Sequence, residues 1–180
     1  MKSKNHLFID LECTCDNGNP DFNREDMEII EIGCYLVDPT LENILLKYSA
    51  FVKPTVNQTL TDFCKKLTTI QQDQVDSANT LDFVINDLST QLDKHGEYIF
   101  HSWGGFDHRQ IGRELKRKNL ENPILSEVND FKDTYKEKTG FKGRGMMKAL
   151  NFLKLEFEGT QHRAVCDAWN LLRIAKKIGV

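Results

Sequence analysis

Leu7-Phe8-Ile9-Asp10-Leu11-Glu12 is an apolar run that ends in two carboxylates spaced two positions apart. The run reads as a buried β-strand, and the period of two along a strand puts Asp10 and Glu12 on the same side. Carboxylates held this close repel each other unless a cation lies between them, and hard oxygen ligands suit Mg²⁺ or Mn²⁺. A solvated strand end carries such pairs too, so the meaning of this one depends on what the rest of the chain brings to it.

Working outward, residues 13–27 are polar and turn-rich and read as a loop. Glu28 to Asp38 and Ile44 to Val52 then read as two strands of a hairpin, stopped by Asp38-Pro39 and Lys53-Pro54. Residues 62–76 read as one or two helical turns. Thr80 is placed to cap a helix whose core side carries Phe83, Val84, Leu88 and Leu92. Tyr98-Ile99-Phe100 is a further strand, entering a turn at Gly104-Gly105 before helical spacing resumes with Ile111 and Leu115. A short edge strand around Val128, helices over 132–138 and Met146–Leu153, and a last helix over Ala164–Ile178 complete the reading. Strands come first, strands and helices then alternate, and no linker interrupts them. The pattern predicts one α/β domain over residues 1–180 with a mixed sheet.

Composition removes several classes. Apolar residues at 39 % and charged residues at 28 % of 180 argue against disorder and against a fibrous repeat. No apolar run approaches the roughly 20 residues that cross a bilayer, so no membrane partner is expected. Met1, Lys2 and Lys4 look like the start of a signal peptide, but Asp10 and Glu12 interrupt the stretch that would follow. The five cysteines, at 13, 15, 34, 64 and 166, form no small-domain framework and point to a reduced, cytoplasmic location. Cys13 and Cys15 have no second pair at zinc-finger spacing and read as free thiols; Cys34 and Cys64 read as core residues. The net charge of −3 hides a polarity. Residues 1–38 carry nine carboxylates against three basic groups, and residues 132–148 six basic groups against two acids. Scattered surface charge gives such counts, and so does a carboxylate site with a phosphate-attracting rim.

Three further residues carry potential chemistry. Asp107 opens a helix at the carboxyl end of a strand, where it can cap the helix and also face a ligand. Asp167 lies in the last helix, solvent-facing, paired with Arg163, or turned toward a site. His162, just before that helix, is an exposed imidazole or a general base of near-neutral pKa.

Together, Asp10-Leu11-Glu12, Asp107 and His162-Arg163-Ala164-Val165-Cys166-Asp167 resemble the three motifs of the DEDDh 3′–5′ exonucleases. More narrowly, the chain resembles the branch of histone-mRNA and small-RNA trimming exonucleases and their short bacterial relatives. Phe8 to Cys15, Glu28-Ile29-Ile30-Glu31-Ile32-Gly33, Phe51-Val52-Lys53-Pro54 and Phe63 to Ile70 carry the likeness, which runs from about residue 6 to 178. It departs at Cys166, where the family often has a second aspartate, and at Phe106, where a tryptophan is more usual. The resemblance implies a ribonuclease-H-like fold of about five or six strands flanked by helices. It also implies hydrolysis of single-stranded RNA from the 3′ end, releasing nucleoside 5′-monophosphates, with two divalent ions, Mg²⁺ or Mn²⁺. Asp10, Glu12, Asp107 and Asp167 would hold the ions and His162 would be the base. Leu11, Cys13, Thr14, Trp103, Phe106 and Arg144 are candidate substrate contacts, and Arg109, Arg113, Lys116, Arg117, Lys118, Lys142 and Lys148 candidate phosphate contacts. RNA is favoured over DNA, and no obligate protein partner is expected. The alternatives are an exodeoxyribonuclease, a dinucleotide-hydrolysing phosphodiesterase, and a non-catalytic nucleic-acid-binding protein.

Overall fold

The apolar run that opens the chain becomes the middle strand of a five-stranded sheet, β1 (Asn5–Cys13). A computed structural model describes residues 3–17, 22–124, 126–142 and 145–180. β1, β2 (Ile29–Val37) and β3 (Ile44–Phe51) form an antiparallel meander, while β4 (Tyr98–Ser102) and β5 (Glu127–Asp130) run parallel to β1 on its other side. The order is β3-β2-β1-β4-β5, the mixed α/β sheet that the sequence predicts.

Helices cover both faces, which is why β1 and β2 are apolar almost throughout. Leu7, Ile9 and Leu11 pack beneath α3 (Leu81–Asp93) and α4 (Phe106–Arg117). Phe8 points the other way, into a core shared with α5 (Phe131–Thr139), α6 (Met146–Phe152) and α7 (Ala164–Ile178). By the same alternation Asp10 and Glu12 continue the Phe8 face. A smaller core under α1 (Asp62–Thr68) and α2 (Gln72–Asp76) holds Cys64 with Ile30, Ile70 and Val75.

Two local expectations change. The buried stripe of α3 is Leu81, Val84, Ile85, Leu88 and Leu92, and Phe83 lies off it, 60 % exposed. Thr80 occupies the cap position, but no side-chain hydrogen bond from it caps the helix.

One contact places the last helix. Gly33 of β2 is paired with Asp10 of β1, and a Cβ on Gly33 would fall within the backbone of Ala164 and Val165. The first turn of α7 therefore lies directly on the bare strand, beside the two carboxylates of β1. Gly33→Ala is expected to cost about 1–3 kcal/mol, because backbone rather than a flexible side chain has to yield. Gly112 of α4 has open space at its Cβ position, so Gly112→Ala is expected to stabilise by up to about 1 kcal/mol. Urea unfolding of both variants checks the contrast, and equal effects would show that the Gly33 contact constrains nothing.

Candidate active site

Asp10 and Glu12 from β1 meet Asp167 from the first turn of α7, with one carboxylate oxygen of each lying within 4.8 Å of the others. Asp107, in the first turn of α4, stands outside this tight group. Its Oδ1 accepts the Leu11 N–H at 3.2 Å, which ties the start of α4 to β1. All four acids and His162 line one cleft of about 480 Å³. His162 adopts a left-handed backbone (φ +60) at the turn into α7, an uncommon conformation for a residue with a side chain.

The turn is held from β2. Glu31 is fully buried in an otherwise apolar strand, on the same face as Gly33. It binds both Nε and Nη2 of Arg163, at 3.0 and 2.9 Å, and accepts the Ala164 N–H at 3.0 Å. The carboxylate thus caps α7 from another element, satisfying a helix N-terminal donor that Arg163 itself leaves free. The guanidinium also lies over the Phe51 ring, 5.1 Å from its centroid. Arg163 pairs with Glu31 and not with Asp167, which leaves Asp167 turned to the cleft.

Electrostatically the site is overloaded with negative charge. Burial, reinforced by Asp107, Asp167, Glu12 and Glu31, pushes Asp10 well above the usual carboxylate range. Burial and the neighbouring Asp167 and Glu31 raise Glu12 to about 9. Burial also lifts Asp107 to about 7 and Asp167 to about 6, against hydrogen bonds that favour their charged forms. Asp167 Oδ2 is buried and, among the described residues, has no hydrogen-bond partner. A half-free carboxylate oxygen among crowded acids is what a hard divalent cation would satisfy, so the residues present fit such an ion. Burial lowers His162 below the ordinary histidine value, which favours the neutral imidazole that a base requires.

Of the expected substrate contacts, Leu11, Trp103 and Phe106 line the cleft. Phe106 is 41 % exposed, whereas Trp103 also packs its ring on Tyr135 and Phe131. Cys13 and Thr14 are placed elsewhere: Cys13 belongs to the core on the α3 side, and the Thr14 hydroxyl accepts the Glu28 N–H at 3.0 Å. Arg144 lies outside the described residues. The basic end of α4 is largely committed within the protein. Arg117 binds the Glu25 and Met27 carbonyls, and Lys118 pairs with buried Glu28 at 2.9 Å. Lys148 lines the cleft together with Met146, Met147, Phe157 and Gln161, four residues that no sequence motif singled out. Glu31 was visible within the family segment, and its position as an acid inside a wholly apolar strand was the available signal of its role.

A mixed sheet whose central strand ends in two carboxylates, joined by a third from α7, is consistent with the two-metal-ion hydrolase site of a DEDDh-type exonuclease. The chain belongs to the RNase_T exonuclease family, whose pattern matches residues 7–175. It is similar to the 3′-5′ exonuclease eri1 of Schizosaccharomyces pombe, 31 % identical over 200 residues, covering 96 % of this chain and 67 % of that one. The probable 3′-5′ exonuclease KapD of Bacillus subtilis is 27 % identical, with 99 % of this chain and 86 % of that protein covered. The nuclease domain of 3′hExo, a DEDDh family member with rAMP bound in its crystal structure, superposes with a TM-score of 0.87 at 27 % identity, over 97 % of this chain and 90 % of that one. Vertebrate relatives named ERI1 exoribonuclease 2 are longer, and the chain spans only 28 % to 34 % of them.

Stability should follow the charge at this site. A carboxyl whose pKa is higher folded than unfolded keeps its proton longer in the native state, so native stability falls as pH rises toward the folded value. Below about pH 6.5 the lowered His6, His101 and His162 act in the opposite sense, since the unfolded chain then binds more protons. The urea midpoint of the chelated protein is therefore expected to fall from about pH 6.5 toward 9, the range set by Asp107 and Glu12. Mn²⁺ should raise it, and more at high pH, where fewer protons compete for the acids. An ion-induced shift of equal size across this range would count against metal binding by the raised carboxylates.

Proposed function

We propose that the chain is a 3′–5′ exoribonuclease that removes nucleoside 5′-monophosphates one at a time from single-stranded RNA. The observation that carries this is the acidic triad of Asp10, Glu12 and Asp167, with His162 and Asp107 on the same cleft and the aromatic faces of Trp103 and Phe106 at its wall. The exoribonuclease names of several relatives, and the rAMP held by the 3′hExo nuclease domain, support RNA over DNA.

Asp10, Glu12 and Asp167 would hold the divalent ions, with Asp107 contributing from the same cleft. Bound there, two such ions supply positive charge for the attacking water and for the departing 3′ oxygen. The remaining work falls to the protein. Neutral His162 accepts a proton from the water that attacks the last phosphodiester phosphorus. The bond from that phosphorus to the 3′ oxygen breaks; the 3′ oxygen takes a proton from solvent to leave a 3′-hydroxyl on the shortened chain, the released nucleoside carries a 5′-phosphate, and His162 returns its proton to solvent. Trp103 and Phe106 offer apolar faces for the terminal base, a contact tolerant of sequence. Leu11, whose N–H binds Asp107, joins this wall to the acids.

The test is a time course with 5′-labelled single-stranded RNA and DNA of identical sequence in Mg²⁺, Mn²⁺ or chelator. A stepwise ladder, faster on RNA and absent with chelator, is expected. Asp10→Asn should lower the rate by more than about 10³-fold, and His162→Ala by about 10²–10⁴-fold with loss of the acid limb of the pH profile. Equal ladders on the two sugars would remove the ribonuclease assignment; no metal-dependent shortening of either would remove the exonuclease activity itself.

A further inference from the structure

Between β4 and α4 the chain turns through Trp103, Gly104 and Gly105, and the turn is closed on itself. The Ser102 hydroxyl donates to the Gly104 carbonyl at 2.6 Å, and the Gly104 N–H donates to the Ser102 carbonyl at 2.9 Å. Gly104 has φ +95, which a residue with a Cβ rarely adopts. The space its missing side chain leaves is taken: a Cβ there would lie 2.9 Å from Lys132 Nζ. The same holds for Gly105, whose Cβ would lie 3.2 Å from the Arg109 guanidinium carbon. Two cations thus rest on two adjacent glycines, on the turn that presents Trp103, Phe106 and Asp107 to the cleft.

Lys132 arrives from a different element, in the first turn of α5, where its N–H is fixed by Asp130 at 3.0 Å. Its charge reaches Asp107 and favours the ionised carboxylate. Among the described residues neither Lys132 nor Arg109 has a salt-bridge partner, whereas Lys118, at the other end of α4, is paired with Glu28 and Glu114. Cations beside the turn that leads into an acidic cleft, half-buried at Lys132 and exposed at Arg109, and without a salt-bridge partner among the described residues, suit an anion brought in with the substrate.

Which anion follows from the chemistry. At a 3′ end the acids and their ions meet the scissile phosphate, and every other backbone phosphate of the substrate lies on its 5′ side. The geometry points to Lys132 and Arg109, seated on the Gly104-Gly105 turn, as a clamp for a backbone phosphate 5′ of the scissile one. The clamp rests on the exonuclease reading and deepens it, because it makes the enzyme favour chains over dinucleotides. An unphosphorylated dinucleotide has only the scissile phosphate and leaves the clamp empty.

The experiment compares kcat/KM for a single-stranded 12-mer and for an unphosphorylated dinucleotide across a salt series. Lys132→Gln and Arg109→Gln are each expected to lower the 12-mer to dinucleotide ratio about tenfold. Each should also flatten the log–log salt slope by about 0.7, the single-strand value for one lost phosphate contact. Lys132→Arg should restore most of the ratio, and Lys176→Gln, an exposed charge in the last turn of α7, should leave it unchanged. Binding of a fluorescent 12-mer to the same proteins in chelator gives a readout that needs no turnover. If the wild type shortens nothing, the exonuclease reading fails and this binding series decides the clamp. Equal losses on both substrates, or unchanged affinity and salt slope in the variants, would overturn it.

Discussion

The site depends on a close approach of helix to strand. At Gly33 the first turn of α7 touches the backbone of β2, and no other residue type leaves that room. Because Gly33 is paired with Asp10, the contact delivers Asp167 to the acids of β1. Glu31, two residues earlier on the same face, then fixes the helix by its charge, holding Arg163 and the first free N–H of α7 at once. A buried ion pair is weak support for stability, but breaking one costs several kcal/mol, so it enforces a particular arrangement. Here that arrangement is the one that turns His162 and Asp167 toward the cleft.

The protein therefore keeps two kinds of buried acid close together. Glu31 and Glu28 are satisfied by cations and backbone donors of the protein itself, and Glu28 is held down to about 2 by the N–H groups of residues 55–57 and by Lys118. Asp10, Glu12 and Asp167 are left short of such partners, and their pKa values rise. The same residue type is structural in one place and reactive in the other, according to whether the fold supplies its counter-charge. An acid that the fold leaves unsatisfied is one that a ligand can satisfy.

Cations divide in the same way. Lys118, Arg117 and Arg163 are committed to buried carboxylates or to carbonyls, so the basic character of α4 overstates what it can offer a nucleic acid. Lys132 and Arg109 lie against glycines of the turn between β4 and α4, and among the described residues neither has a salt-bridge partner. Counting basic residues along the chain could not separate these groups, because their partners come from elements 80 or more residues away in the case of Arg117, Lys118 and Arg163.

The alternation of Leu7 to Glu12, the apolar strands around it and the helical spacing after Ala164 were legible in the sequence, because strand and helix periods are local properties of the chain. So was the family, through short motifs around Asp10, Asp107 and Asp167. Local signals also misled where a single position mattered: Phe83 lies off the buried stripe of α3, and Thr80 holds the N-cap position without a side-chain cap hydrogen bond. What only the tertiary structure decided was the company each side chain keeps. That Cys13 and Thr14 turn away from the cleft while Met146, Met147, Phe157 and Gln161 enter it depends on packing between α6, α7 and β1. That Glu31 holds Arg163 across 132 residues of chain is likewise outside any local pattern. Local sequence sets which way a side chain can point, and the close packing of distant elements sets what it meets there.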